Sequence, residues 1–134
     1  MRFRVILLGL LTVFCIISAG CIFMDNEPEV SKIEIIVYDT KETVVIAGEA
    51  DIKHICDNLR SLKLVKMEYN EPTALVYTLK FYDEEGNLIE KLEIPVHDWI
   101  AYDGYFHYIS EGEFDRKFID ELVDFAVSSG PKSY

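Results

Sequence analysis

The alternation of apolar and polar positions after residue 30 predicts a series of short strands. Residues 33–38 alternate, and the β-branched run at 43–46 follows a polar turn, which is typical of a hairpin. Residues 75–82 alternate cleanly and precede the acidic turn 83–86, and residues 88–94 form their predicted partner. The register that keeps apolar side chains on one face places Phe81 opposite Leu88.

Two further strand regions complete the predicted sheet. Residues 64–69 form one strand, and Asp103-Gly104 is the two-residue turn of a second hairpin. That turn pairs Tyr102 with Tyr105 and Ile100 with His107. One face of this hairpin carries the apolar side chains of Trp99, Phe106 and Tyr108. We therefore predict that this face meets the core.

Two segments carry the periodicity of amphipathic helices. The first has Asp51 as its expected N-cap, and its apolar stripe is Ile52, Ile55, Cys56, Leu59 and Leu62. The second is expected to open with a capping box at residues 110–113, and its stripe is Phe114, Phe118, Leu122 and Phe125. The order ββαββββα therefore predicts an α+β fold in which two helices cover one face of an antiparallel sheet of about six strands.

The first 30 residues are not expected to belong to this domain. Arg2 and Arg4 precede a charge-free apolar run over residues 5–24, which has the form of an export signal. We interpret residues 1–20 as a signal peptide, residues 21–30 as an acidic tether and residues 31–134 as one domain.

Small residues end the apolar run immediately before a cysteine, in the order Ser18-Ala19-Gly20-Cys21. This pattern resembles the lipobox of prokaryotic lipoproteins, although lipoboxes most often carry a large aliphatic residue at the position of Ser18. The resemblance covers residues 1–21 and implies that Cys21 carries a lipid that anchors the chain to the outer side of the cell membrane. The alternative is an uncleaved signal anchor, because roughly 20 apolar residues suffice to span a bilayer.

The charge of the chain restricts its partners. The whole sequence has a formal net charge of −11, and removal of residues 1–20 with their two arginines leaves −13. Such a domain repels nucleic-acid phosphates, so we expect no nucleic-acid partner. It is also repelled by anionic lipid headgroups, so the lipid on Cys21 is the expected contact with the membrane.

The residue types that support catalysis or metal binding do not converge in this sequence. Cys56 lies on the apolar stripe of the first helix, which predicts a buried structural thiol. His97 and His107 fall on opposite faces of the second hairpin, so one metal ion cannot bind both. We find no motif for a metal site, a nucleophile elbow or a phosphate loop, and we expect no cofactor.

One surface of the second hairpin is the candidate for function. The face opposite Trp99 carries Asp98, Ile100, Tyr102, Tyr105 and His107, a mixture that is common at recognition surfaces. Our first hypothesis is a membrane-tethered module that binds a protein or small molecule through Asp98, Tyr102, Tyr105 and His107. The alternative is a small extracytoplasmic hydrolase that uses Asp98 and His107. The sequence favours the binding module because no nucleophile or metal completes a catalytic site.

Overall fold

The computed structural model describes residues 29–68 and 73–129. The expected signal peptide, the lipobox with Cys21 and most of the tether lie outside the described residues. The described elements follow in the order β1 (Lys32–Val37), β2 (Thr43–Ile46), α1 (Glu49–Arg60), β3 (Lys63–Lys66), β4 (Leu75–Tyr82), β5 (Leu88–Pro95), β6 (Trp99–Tyr102), β7 (Tyr105–Glu111) and α2 (Arg116–Ser129).

The fold is α+β, as predicted, and its seven strands correspond to the individually predicted strand regions, one more than the order ββαββββα counts. Seven strands form one antiparallel sheet in the order β2-β1-β4-β5-β6-β7-β3 within the described residues. No helix in these ranges is long and apolar enough to cross a membrane. The two sheet edges are β2 and β3, the two four-residue strands that flank α1 in the chain.

Both helices contribute to one hydrophobic core against one face of the sheet. Cross-strand pairing places Ile33 opposite Ile46, and Leu79 opposite Leu92, with all four side chains buried. The apolar stripe of α1 and residues Ile119 and Val123 of α2 belong to the same cluster. The prediction that both helices cover one face is therefore confirmed.

The register between β4 and β5 differs from the prediction by two residues over most of its length. Leu79 pairs with Leu92 and Phe81 with Glu90, which leaves Leu88 exposed. The turn explains the shift, because the Asp83 carboxylate accepts the backbone N–H groups of Glu85 and Asn87. Asp83, rather than Tyr82, thus closes the loop with Asn87.

Both predicted helix starts are wrong. α1 begins at Glu49 after Gly48, so Asp51 lies in its first turn. Residues Ser110 and Glu111 belong to β7, and the Ser110 hydroxyl donates to the carbonyl of Lys63 in the neighbouring strand. Asp115 caps α2 instead, because its Oδ1 accepts the N–H of Phe118 at 3.3 Å.

The core-facing side of α2 is also rotated from the predicted stripe. Ile119 and Val123 are its buried residues, whereas Phe114, Phe118 and Leu122 are half-buried. Phe125 is 71 % exposed, so its predicted place in the core is wrong. The predicted stripe starts at Phe114, ahead of the first turn of α2, and this early start sets the wrong phase for the periodicity.

Candidate recognition surface

The second hairpin has the predicted pairing. Tyr102 lies opposite Tyr105, and Ile100 lies opposite His107. Asp103 and Gly104 form the loop with φ values of 54° and 80°. Two positive φ angles are what a type I′ turn requires, and Asp-Gly is a favoured pair for it.

The face of this hairpin that meets the core is the opposite of the predicted one. Ile100 is fully buried and His107 is 6 % exposed, whereas Trp99 and Phe106 are half-buried and Tyr108 is exposed. The placement of Trp99, Phe106 and Tyr108 in the core is therefore wrong. Pairing with β5 explains the result, because Ala101 lies opposite Glu93 and shares its face. Leu92 and Ile94 face the core, so Glu93 and Ala101 face away from it. Ile100, the neighbour of Ala101 in β6, therefore faces the core.

His107 is held in the core by stacking and by backbone carbonyls. Its ring stacks on Tyr102 at 3.9 Å between centroids, and its Nδ1 lies 3.0 Å from the Tyr105 carbonyl, to which it donates. Burial lowers the pKa of His107, against the raising effect of the carbonyls of Tyr105 and Ile100. A neutral imidazole with these partners acts as part of the core.

The fold keeps Tyr102, Tyr105 and His107 on one face of the hairpin, but that face is directed toward the core and is not open. His107 is buried, and Tyr102 is half-buried against the core. Tyr105 is exposed beneath the Lys66 ammonium group, which lies 3.5 Å from the centre of its ring. Asp98 is exposed in the bend that precedes β6. The premise that these residues share an open sheet face is wrong.

The hydrolase hypothesis loses its geometric basis as a result. It required Asp98 and an accessible His107 on one exposed face, but the imidazole is buried. The charged groups that act on the pKa of His107 are Lys66 and Asp103. A substrate that approaches Asp98 from solvent therefore meets no accessible imidazole at this position.

Cys56 is a buried thiol, as predicted. It is free, 4 % exposed and lies on the core-facing stripe of α1. Burial raises its pKa, which keeps the less nucleophilic thiol form at neutral pH. Across residues 29–68 and 73–129, no three His, Cys, Asp or Glu side chains form a group that could hold a metal ion.

A polar junction between α1 and the start of α2 is not predicted by the sequence pattern. His54 is exposed, as its position on the polar face of α1 predicts, and its Nε2 lies 2.8 Å from Asp115 Oδ2 while its ring stacks on Phe118 at 3.8 Å. Asn58 donates to the Glu113 carbonyl and accepts the Asp115 N–H, both at 2.8 Å. The hydrogen bond from His54 lowers the pKa of Asp115. These contacts fix the two helices to each other.

The surface that does combine exposed aromatic side chains lies on the other side of the hairpin. Trp99 pairs with Tyr108, which in turn pairs with Val65 of β3. Phe106 lies 5.9 Å from Trp99 between ring centroids. We define the aromatic patch as these four residues, Val65, Trp99, Phe106 and Tyr108. His97 contacts its margin, with its ring centre 4.6 Å from that of Trp99.

The aromatic patch is on the face of the sheet that neither described helix covers. Its strands, β3, β7 and β6, are adjacent in the sheet, so the side chains form two rows across a continuous surface. Tyr108 is 44 % exposed. Aromatic side chains that combine apolar ring area with a polar group, as Trp99 and Tyr108 do, are typical of protein interaction surfaces.

Comparison with known proteins gives no assignment for this surface or for the chain. No family model, no curated protein and no solved structure matches it.

Proposed function

We propose that this chain is a lipoprotein tethered to the outer side of the cell membrane, and that its domain is a binding module which uses the aromatic patch. The anchoring rests on the sequence Ser18-Ala19-Gly20-Cys21 at the end of an apolar run. The binding function rests on the aromatic patch itself. The face with Tyr102 and His107, which the sequence pattern favours, is turned toward the core.

The position at which the domain begins supports a tether. The N–H of Ser31 donates to the carbonyl of Tyr82, so the chain enters the sheet at the end that carries the turn after β4. Residues 22–30 separate this point from Cys21 and span at most about 30 Å when extended. A domain on such a tether stays near the membrane, and the aromatic patch lies on a sheet face rather than at the entry point.

A binding module fits the chemistry of the patch better than an enzyme does. Trp99, Phe106 and Tyr108 offer apolar area and ring faces, and none of them is a nucleophile at neutral pH. Trp and Tyr are the residues most enriched among those that dominate binding energy at interfaces. The partner is expected to be a protein segment or small molecule with an apolar or cationic group, since the exposed domain surface is acidic.

The first prediction concerns the anchor. Cells that produce the full chain and are fed a clickable palmitate should label the unsubstituted protein and fail to label Cys21→Ser. The reason is that the thiol of Cys21 is the expected site of the thioether to the lipid. The mature protein should also begin at residue 21. Equal labelling of both proteins, or a mature protein that still begins at Met1, would leave the uncleaved signal anchor as the explanation.

The second prediction concerns the aromatic patch. A photo-crosslinking amino acid at position 65, the patch residue on edge strand β3, should form a discrete adduct in cells. Tyr108→Ser should reduce that adduct at least several-fold, because loss of one central aromatic group commonly removes about 1–2 kcal/mol or more of binding energy, roughly 5- to 30-fold in affinity. Thermal unfolding should show that the fold is retained.

Tyr38→Ser is the matched control for this experiment. Tyr38 has the same exposure as Tyr108, 44 %, and lies after β1, away from the patch. Its substitution should leave the adduct at position 65 unchanged. An adduct that survives Tyr108→Ser, or that falls equally with Tyr38→Ser, would show that the aromatic patch does not bind the partner.

A further inference from the structure

The two edges of the sheet are protected very differently against pairing with another strand. The β3 edge has a lysine at each end, and its register shifts between Lys63 and Leu64. Lys63 also forms an ion pair with Glu111 at 3.1 Å. Lysine side chains and bulges are the usual means by which proteins keep an edge strand from pairing.

The β2 edge has none of these features. Its sequence is Thr43-Val44-Val45-Ile46, with no charge, no proline and no shift in its register with β1. Val44 and Ile46 are buried, whereas Val45 is 56 % exposed on the opposite face. Uncharged, β-branched edge strands of this type are templates for an additional strand.

The hydrogen bonding of β1 defines which backbone groups β2 presents outward. Val37 donates to the carbonyl of Glu42 at 2.8 Å, which makes this pair a hydrogen-bonded one. Hydrogen-bonded pairs alternate along an antiparallel ladder, so Val44 and Ile46 direct their backbone groups toward β1. Thr43 and Val45 direct theirs away from β1. In the described chain, β2 pairs with β1 and with no other strand.

We infer that β2 pairs in antiparallel fashion with β2 of a second copy of this chain, centred on Val45. A two-fold axis at Val45 places the N–H and C=O of Val45 in one copy against those of Val45 in the other. It also places Val44 opposite Ile46 on the core side, so buried apolar residues meet buried apolar residues.

The neighbouring register is disfavoured by its side-chain pairs. If the two strands slip by one residue, the two-fold axis falls between two neighbouring residues. Core-facing residues of one copy then lie opposite outward-facing residues of the other, which a sheet cannot accommodate. The next register that keeps the faces, centred on Val44, sets the Glu42 carboxylate against Ile46. In the register centred on Val45, Glu42 meets Gly48 instead. The register centred on Val45 therefore pairs the apolar residues Val44, Val45 and Ile46 of one copy with those of the other.

The helix that contacts this edge strand carries additional exposed apolar area. α2 is the helix that contacts β2, and it carries the exposed side chains Phe125 and Val127. A pair of four-residue strands alone buries less surface than a stable dimer needs. A second copy that brings its own α2 to this edge adds exposed apolar groups from both chains.

The symmetry also restricts how the pair lies on a membrane, and this step alone rests on the proposed anchor. A two-fold axis perpendicular to the sheet puts the two Ser31 entry points at opposite ends of the combined strands. Both tethers reach one membrane when the strands run along its surface, since residues 22–30 extend at most about 30 Å. The net charge of −13 on each copy opposes association, so added salt is expected to strengthen it.

Cysteine crosslinking in membranes tests the pairing and its register. Membranes that contain the full chain with Val45→Cys should form a covalent dimer under a mild oxidant, several-fold above the unsubstituted chain. Hydrogen-bonded antiparallel partners have Cα atoms about 5.5 Å apart, which suits a disulfide. The experiment needs no lipid on Cys21, so its failure is distinguishable from failure of the anchor.

Two matched positions make the result specific. Thr43 lies on the same strand and the same face as Val45, but it lies opposite Ala47 of the second copy. Residue 43 of the second copy is four residues further along, so the two thiols of a Thr43→Cys pair are held roughly 13 Å apart along the strands. Val65→Cys samples the exposed face of the other edge strand. Both variants should stay near the background of the unsubstituted chain. Equal dimer at all three positions would indicate random collision, and no dimer at position 45 would show that β2 does not pair with itself.

A proline substitution gives a second measurement without any crosslink. Val45→Pro removes only the outward N–H, because Val45 does not donate to β1, and edge strands tolerate proline at such positions. Sedimentation of the full chain in detergent should show a dimer for the unsubstituted protein and a monomer for Val45→Pro, with unchanged far-ultraviolet circular dichroism. A monomeric unsubstituted protein would overturn the proposal.

Discussion

Replacing Ile100 with alanine should lower the free energy of unfolding by about 2–5 kcal/mol, the usual cost of truncating a large aliphatic side chain in a core. Ile100 is fully buried, so its truncation leaves a cavity that the surrounding core fills only in part. Trp99→Ala should cost only about 1 kcal/mol, the scale of a cross-strand pair on a sheet surface. Urea denaturation followed by far-ultraviolet circular dichroism measures both without relying on the single tryptophan.

The comparison between these two neighbours tests the orientation of the hairpin. If Trp99 faced the core, its removal would cost about 3–5 kcal/mol and Ile100→Ala would be mild. Val96→Ala, at an exposed position in the bend before β6, is the control and should change the stability by less than about 0.5 kcal/mol. A larger loss for Trp99 than for Ile100 would contradict the described core.

The hairpin shows what a local sequence pattern can and cannot define. Asp103-Gly104 specifies the turn and hence every pair across β6 and β7, because the turn and the paired residues are close together in the chain. Which face is buried depends on how β6 joins β5. That join passes through the irregular bend 96–98, and the sequence contains no periodic signal there. The greater apolar area of Trp99 and Phe106 then favours the wrong face.

The same distinction explains the helices. Ile52, Ile55, Cys56 and Leu59 are all buried because their periodicity extends over several turns of α1. Within the local sequence, the start of α2 is marked by one hydrogen bond, from the Phe118 N–H to Asp115, whereas a match to a capping box predicts an earlier start. The His54–Asp115 junction joins residues 61 positions apart, so only the tertiary structure reveals it.

The error at the hairpin changes the functional hypothesis more than it changes the fold. With the predicted orientation, Tyr102 and His107 offer a recognition surface, and Asp98 with His107 offers a catalytic pair. With the described orientation, His107 is a core residue, and the hairpin face directed away from the helices carries the aromatic patch, in which Tyr108 is exposed and Trp99 and Phe106 are half-buried. The proposal of a binding module survives because it depends on an accessible aromatic surface, which the patch provides. The hydrolase requires one particular imidazole to be accessible.

The second large effect is expected at Gly112, where β7 passes into the loop before α2. Gly112 has φ of +87°, and a Cβ atom built on it lies 3.1 Å from the Leu62 side chain and 3.1 Å from the Ser61 carbonyl oxygen. Gly112→Ala should therefore lower the free energy of unfolding by about 1–3 kcal/mol, the usual cost of backbone strain, with the contact adding to it. Equilibrium urea unfolding measures the loss.

The sign of this change in the free energy of unfolding tests the structure against the capping-box interpretation. A capping box at residues 110–113 would put position 112 in the first turn of a helix, where alanine in place of glycine stabilises by about 0.5–1 kcal/mol. Gly86→Ala is the matched control, because Gly86 has φ of +84° but no atom within 4 Å of the added Cβ. It should show the strain without the contact and so a smaller loss than Gly112→Ala. A stabilised Gly112→Ala variant would mean that the turn which positions Asp115 against Asn58 is not as described.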